Sequence, residues 1–310
     1  QGLIGGHRLV TGAAYRRTWD DVAGSYAAWF TPQRRTTHLF SGFVHDEIDL
    51  VSDRLRLSMG AKLEHNSFTG FEWQPNIRLW YAPKAQHGAW LAVSRPLRTP
   101  SRGDDDLNAF LTQLPADSLF AGAPTTLVLV DNNRRFQTER MVAFDGGYRA
   151  GVGPVFADLS VFYNRYANLL TQEPQLPYSV AGETPYLVLP LVTQNKADAQ
   201  AVGVEAAMDW RVTGIWQMRA VYSYLALDVE LDEDSRDTIT ESYEDGSPRH
   251  QLSLRSLADA GVWSLAATGR WVDDLNRLGI DAYLTMDTRV SRRFGNDFEL
   301  ALTGRNLLQN

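Results

Sequence analysis

The sequence predicts an all-β fold, a transmembrane antiparallel β-barrel, on three observations. In the stretch DRLRLSMGAKLE, the residues Leu55, Leu57, Met59, Ala61 and Leu63 alternate with Arg56, Ser58, Gly60, Lys62 and Glu64. Only an extended strand turns that period of two into one apolar and one polar face. The pattern recurs along the chain in segments of about ten residues, separated by alternately short and long connections, as membrane-spanning strands require. No apolar run approaches the roughly 18 residues of a membrane helix, which a barrel does not need because its lipid-facing and lumen-facing residues alternate.

In chain order, the first strand is expected at about His7 to Arg17, then a long polar connection through Pro32 to Arg35. A strand from Thr37 to Asp49 turns at Val51-Ser52-Asp53 into the opening stretch, Asp53 to Glu64. HNSFTGFEWQ, with its Gly and Asn, reads as a longer loop. Strands at Asn76 to Ala82 and Ala89 to Ser94 flank a turn at Pro83-Lys84. The next connection spans several tens of residues with Pro96, Pro100, Asp104, Asp105, Asp106 and Pro115; loops of that size in a compact domain are usually functional. Gln137 to Arg149 and Val155 to Asn164 join at Gly151-Val152-Gly153-Pro154, and a proline-rich connection runs from Ala167 to Lys196. Gln200 to Trp210 turns at Val212-Thr213-Gly214 into Ile215 to Leu227, and an acidic connection follows from Asp228 to Gly246. Strands at Arg249 to Leu257, Val262 to Trp271, Ala282 to Phe294 and Phe298 to Leu307 complete the chain. The tally of about 13 is odd, whereas single-chain bacterial barrels use an even number of strands. Part of a longer barrel is therefore expected, and a mature or trimmed chain would begin, as this one does, without a start methionine.

Composition sets further bounds. A net charge of −7 and a pI near 5.4 remove the electrostatic case for nucleic acid. The absence of cysteine leaves neither disulfides nor thiolate metal sites. Trp and Tyr within the 11% aromatic content suit girdles at both membrane interfaces, and core packing would use them equally.

Charge decides which face meets lipid. Placing Arg56 and Lys62 in hydrocarbon would cost about 2–4 kcal/mol each near the midplane, so the leucine face is expected to point outward. The same test sends Glu139, Asp145, Arg149, Glu205, Asp209, Arg270, Asp287, Arg289, Glu299 and Arg305 inward. The expected lumen carries mixed charge, with opposite signs paired across neighbouring strands.

Several segments resemble the barrel of TonB-dependent outer-membrane receptors. They are HLFSGFVHDEIDLVSDRLRLSMGAKLEHNSFTG, WQPNIRLWYAP followed by LAVSRPLRTPSR, and then TERMVAFDGGYRA, AVGVEAAMDWRV, SPRHQLSLRS and TGRNLLQN, in the family's order. The resemblance covers nearly the whole chain as one β-barrel domain, residues 1–310. It implies part of a barrel of about 22 strands around a plug. Nothing here resembles the plug, the energy-coupling segment, the earliest strands or a terminal strand with a final aromatic residue. By resemblance, the protein resides in the cell outer membrane, among lipid and lipopolysaccharide, and is driven by the TonB complex through the plug. The implied ligand is a ferric siderophore or related iron complex, with haem, cobalamin, metal chelates and oligosaccharides as the family's other ligands.

Candidate site residues come from the long connections. Arg98, Arg102, Arg134, Arg135, Phe110, Phe120, Tyr178 and Tyr186 could grip a planar or anionic ligand by stacking and charge, and loop packing or interface anchoring would explain them as well. The acidic run Glu230, Asp232, Glu233, Asp234, Asp237, Glu241, Glu244 and Asp245 lacks the glycine of an EF-hand loop and reads as a solvated loop. The six histidines lack helical metal-site spacing, and His65, beside Glu64 and Asn66 at an expected loop mouth, is the one singled out. G-x-S-x-G, H-E-x-x-H and P-loop patterns are absent, and no catalytic residue, resident metal or cofactor is expected. A ligand-gated transporter is the leading expectation; a passive porin and a non-transporting adhesin are the alternatives.

Overall fold

The computed structural model describes residues 2–4, 6–131, 136–295 and 297–308, with backbone alone for 2–4. The strands are β1 (Gly2–Ile4), β2 (His7–Asp21), β3 (Ala28–Phe30), β4 (Arg34–Val51), β5 (Leu55–Asn66), β6 (Gly70–Lys84), β7 (His87–Ser94) and β8 (Leu97–Arg98). A short helix α1 (Arg102–Asp106) leads into β9 (Leu107–Leu114) and β10 (Thr126–Asp131). Then come β11 (Glu139–Val152), β12 (Val155–Pro174), β13 (Tyr178–Val180), β14 (Tyr186–Arg211) and β15 (Trp216–Leu231). The last are β16 (His250–Ala260), β17 (Trp263–Val272), β18 (Tyr283–Phe294) and β19 (Phe298–Gly304).

The barrel wall is an antiparallel run in the order β2, β4, β5, β6, β7, β11, β12, β14, β15, β16, β17, β18, β19. These are the strands the alternation predicts, and β1 pairs with the far side of β2. Connections at one end are tight, such as Gly153-Pro154 between β11 and β12, where Val152 pairs with Val155. Those at the other end are long, with two departures from the lengths expected from sequence. HNSFTGFEWQ is not a loop. Asn66 accepts hydrogen bonds from the N–H groups of Phe68 and Thr69 at 2.9 and 2.8 Å, and Gly70 at φ +75° completes a tight turn straight into β6. The proline-rich connection is also shorter than expected. β12 runs to Pro174 and β14 begins at Tyr186, with Pro190 inside β14 supplying its carbonyl to the Gln175 N–H at 2.9 Å.

The registers fix the two faces. Leu57 lies opposite Ile48 and Leu79, and Ile77 opposite Val93, so the leucine face of β5 continues across its neighbours. Exposed Leu63, Leu91, Val161, Leu265 and Leu302 belong to this outer face. Aromatic residues bracket it. Trp73 and Tyr81, Trp216 and Tyr224, and Trp263 and Trp271 are each eight residues apart on one strand. At about 3.3 Å per residue and a tilt near 40°, that spacing lifts the chain about 20 Å, close to the apolar band of an outer-membrane barrel.

The inner face is charged and paired, as the sequence predicts. Arg149 lies directly opposite Asp158 and hydrogen-bonds to it. Arg56 meets Asp49 at 2.7 Å, Arg8 meets Glu47 at 2.6 Å, and Arg270 meets Asp287 at 3.1 Å. Such cross-strand pairs fix the register, because a slip by one residue would carry every charge to the apolar side.

Candidate functional site

At the long-loop end, three connections are knitted into one small sheet. β3, from the β2–β4 connection, pairs with β9; β9 and β10 form a hairpin; and β10 runs parallel to the start of β14, with Thr126 opposite Leu187. β13 covers the other edge of that segment, Tyr178 opposite Val188. Val128, Leu129, Leu187 and Val188 are buried between these pieces, so the loops have an apolar core of their own. The sequence signal was present in TLVLVD and YLVLPLV, short apolar runs rich in β-branched residues that suit buried strands. From sequence alone both runs fall inside the expected connections.

Two of the predicted arginines hold this assembly together. Arg98 is hydrogen-bonded to Glu139, meets Asp104 at 3.1 Å and lies 5.3 Å over the Phe136 ring. Arg102 pairs with Asp20, meets Asp106 at 3.2 Å, donates to the carbonyls of Pro32 and Gln33, and covers the Phe30 ring at 4.8 Å. Ser101 caps α1 in a capping box with Asp104, which holds both arginines at the rim. Arg35 from the top of β4 adds contacts to Asp105 and Asp106 at 2.7 and 2.6 Å.

The aromatic candidates are spread along the loop sheet. Phe110 on β9 is half-buried against Trp29, with ring centroids 5.7 Å apart, and Tyr186 is half-buried at the start of β14. Phe120, in the β9–β10 connection, and Tyr178, on β13, are about half exposed, at 55% and 49%. Arg134 and Arg135 lie outside the described residues. The structure thus gathers Arg98 and Arg102 beside α1, and leaves Phe120 and Tyr178 as the solvent-facing pair.

The acidic connection between β15 and β16 is more ordered than a solvated loop. Asp237 is buried and accepts hydrogen bonds from the N–H groups of Gln172, Ile239 and Thr240 and from the Thr240 hydroxyl, at 2.6 to 2.9 Å. Burial pushes its carboxyl up, but these donors outweigh burial and hold it below the usual aspartate range. Glu173 of β12 accepts from the Ser235 hydroxyl and the Arg236 N–H, both at 2.7 Å, so this loop is tied down at two points. His65 also departs from expectation. It faces outward against Phe71, centroids 4.6 Å apart, while its neighbours Glu64 and Asn66 are buried. It belongs to the outer aromatic band because the loop mouth that would have exposed it is a turn. No cluster that could hold a metal ion occurs among the described residues.

Below the loops, the inner face offers open recesses. One of about 820 Å³ near the short turns is bordered by Trp80, Arg149, Asp209, Arg219 and Arg255. A second of about 410 Å³ is lined by Arg219, Arg255 and Arg270 with Ser253 and Thr268.

A strand wall with an apolar belt, a charged interior and loops folded over one end defines a membrane β-barrel of the receptor type. The sequence matches the family described as TonB dependent receptor-like, beta-barrel, over residues 1–307, and the chain belongs to that family, whose barrels are those of outer-membrane receptors. Solved structures agree on the fold. The ferric enterobactin receptor PfeA of Pseudomonas aeruginosa, in complex with BCV-L6, superposes with a TM-score of 0.70 at 17% identity, over 97% of this chain and 46% of that one. The siderophore receptor PirA of Acinetobacter baumannii gives 0.72 at 15% identity, over 97% and 48%. The copper transporter OprC gives 0.63 at 13% identity, over 98% and 48%. The chain spans about half the length of these relatives. No curated protein sequence matches it.

Proposed function

We propose that this chain is barrel wall of a TonB-dependent receptor in the outer membrane, that the receptor takes up a scarce solute, and that this solute is a ferric siderophore or related iron complex. The observation that carries the reading is the loop sheet. Three connections share backbone ladders and an apolar core above a charged interior, so they form one folded cap over that end of the wall. Loops held that firmly suit capture of a ligand, because little ordering entropy remains to be lost on binding. Phe120 and Tyr178 supply exposed rings for a planar chelate, and Arg98 and Arg102 position the segments between them. Uptake would be powered through the TonB complex, and the protein converts nothing chemically. The siderophore assignment is supported by the neighbours PfeA and PirA, and OprC makes a copper complex the comparison ligand.

The test is titration of the purified full-length receptor with ferric catecholate, ferric hydroxamate and cupric complexes, followed by intrinsic tryptophan fluorescence. Growth of iron-limited cells with and without a functional TonB complex completes it. Saturable binding of a ferric chelate and TonB-dependent growth are expected. Unsaturable, TonB-independent flux of small solutes would overturn the reading in favour of a porin.

A further inference from the structure

Inward arginines on this wall meet carboxylates on adjoining strands: Arg8 meets Glu47, Arg56 meets Asp49, and Arg149 meets Asp158. β15, β16 and β17 depart from that pattern. Arg219 of β15 lies directly opposite Arg255 of β16, a like-charge pair that by itself weakens a ladder. Cβ atoms so placed are about 4.5–5.5 Å apart, which puts both guanidinium groups within reach of one anion. Arg255 lies opposite Thr268 of β17, and Arg270 lies opposite Ser253, two residues along β16 from Arg255. Three guanidinium groups thus occupy neighbouring positions on one face.

The nearby carboxylates do not balance them. Asp287 of β18 meets Arg270 at 3.1 Å, but Asp209 of β14 approaches Arg219 only to 3.8 Å. Arg255 has neither a hydrogen bond nor an ion pair among the described residues. Asp259, inward at the turn end of β16, is bonded to Ser264 instead. The patch therefore keeps an unbalanced positive charge centred on Arg255. With Val221, Ser253 and Thr268, the three arginines line the open recess of about 410 Å³. Every polar side chain lining it can donate a hydrogen bond, and none is a carboxylate or an amide. Arg219 stands between Trp216 and Tyr224 along β15, and Thr268 between Trp263 and Trp271 along β17, so the recess faces the passage at the depth of the apolar belt. A wall of low dielectric behind it focuses the field of the arginines into the recess.

From this geometry we infer that Arg255, flanked by Arg219 and Arg270 and by the hydroxyls of Ser253 and Thr268, forms an anion-binding site on the lumen wall that takes an oxyanion or carboxylate group. An anion cancels the repulsion between the facing arginines, and their planar forks present paired N–H donors to its oxygens. A cation would be repelled, and a neutral solute would leave the guanidinium charges uncompensated. The site lies on the strand wall, apart from Phe120 and Tyr178 of the loops, and goes beyond the proposed capture of a ligand there: it gives the passage itself a preference for acidic groups. A free inorganic oxyanion and the acidic groups of a larger solute share this chemistry, and the experiment separates them.

The experiment uses the full-length receptor in detergent at low ionic strength, titrated calorimetrically with sodium sulfate and with trisodium citrate. Wild type is compared with R255Q, with R219Q, and with R16Q, which removes an arginine from the same face of distant β2. Saturable binding of an anion is expected in wild type and R16Q, with affinity about ten-fold lower in R255Q. R219Q, which removes the facing guanidinium, should weaken binding several-fold and carries the comparison if R255Q does not fold. Sulfate binding as tight as citrate binding assigns the site to a free oxyanion, and tighter citrate binding assigns it to the carboxylates of a larger solute; either supports the site. No saturable binding by wild type, unchanged affinity in a variant of Arg255 or Arg219 whose heat-modifiable migration is normal, or equal weakening in R16Q would overturn it. Failure to bind a ferric chelate would leave this site standing, and failure to bind either anion would leave the capture of a ferric chelate standing.

Discussion

Phe162 lies over the bare backbone of Gly203, its direct partner across the β12–β14 ladder, on the inner face of the wall. A Cβ at position 203 would enter the ring, so the absence of a side chain lets the phenyl group lie flat against the wall. Gly147 stands in the same relation to Trp90. G203V should therefore displace Phe162 and destabilise the barrel by about 1–3 kcal/mol, the usual cost of overpacking. The midpoint of urea unfolding, followed by heat-modifiable gel migration, reads the effect. G182V, where a Cβ would meet open space, should leave that midpoint unchanged. Equal midpoints for the two variants would show that the ring yields at no cost.

How much of this was legible in the sequence depends on how many surroundings each segment has. Leu57 and Ser58 have one neighbour environment each, lipid or lumen, and the alternation around them gave strand, facing and register directly. Val128 and Leu187 are buried in the loop sheet among segments distant in sequence, so their apolar runs carry no alternation and read as parts of connections. Arg98 and Arg102 were legible as loop arginines, but their partners Glu139 and Asp20 sit at the loop ends of β11 and β2 and only the fold brings them near. Asp237 was hidden among carboxylates of identical appearance. What distinguishes it is the backbone N–H groups aimed at it, which no composition reveals.

Facing itself is open to a paired test. Leu57 lies between Ile48 and Leu79 on the apolar side, and its neighbour Ser58 between Glu47 and Arg78 on the charged side. L57R puts a guanidinium in the apolar band at about 2–4 kcal/mol, whereas S58R adds one to a polar interior. Outer-membrane fractions should lose most of the L57R protein and keep S58R near the wild-type amount. Equal amounts of both would show that the two faces are reversed or that the wall does not meet lipid.

The loop aromatics give a prediction about binding. If Phe120 and Tyr178 stack on the ligand, F120A and Y178A should each raise the dissociation constant of a ferric chelate several-fold, since an aromatic contact contributes about 0.5–1.5 kcal/mol beyond its area. R98M should act differently. It leaves Glu139 without its guanidinium partner and loosens the segment, so protease sensitivity of the loop should rise together with the loss of affinity. Fluorescence titration and limited proteolysis of the same preparations separate the two. An aromatic variant with unchanged affinity and an intact loop would remove that ring from the ligand site.

Acid should release the β15–β16 loop before it opens the barrel. The Asp237 carboxyl is held below its ordinary value of 3.8 because donors from Gln172, Ile239 and Thr240 favour the charged form more than burial opposes it. A carboxyl with a depressed folded-state pKa stabilises the folded arrangement fully above its unfolded value. That contribution is lost as pH falls through the lower, folded value. At neutral pH the loop is therefore pinned to β12 through the Gln172 N–H, and the pin fails only below about pH 4. D237N should reproduce the released state at pH 7, because a neutral amide oxygen is a weaker acceptor and its NH2 group faces donors. The expected loss is about 1–3 kcal/mol of local stability. Hydrogen-exchange protection factors of Gln172, Ile239 and Thr240, corrected for intrinsic rates, measure it. They should fall together in wild type between pH 6 and pH 2.5 and already be low in D237N at pH 6, while amides of the β4–β5 ladder stay protected in both. Protection that is independent of both pH and the substitution would mean that Glu173, through Ser235 and Arg236, holds the loop by itself.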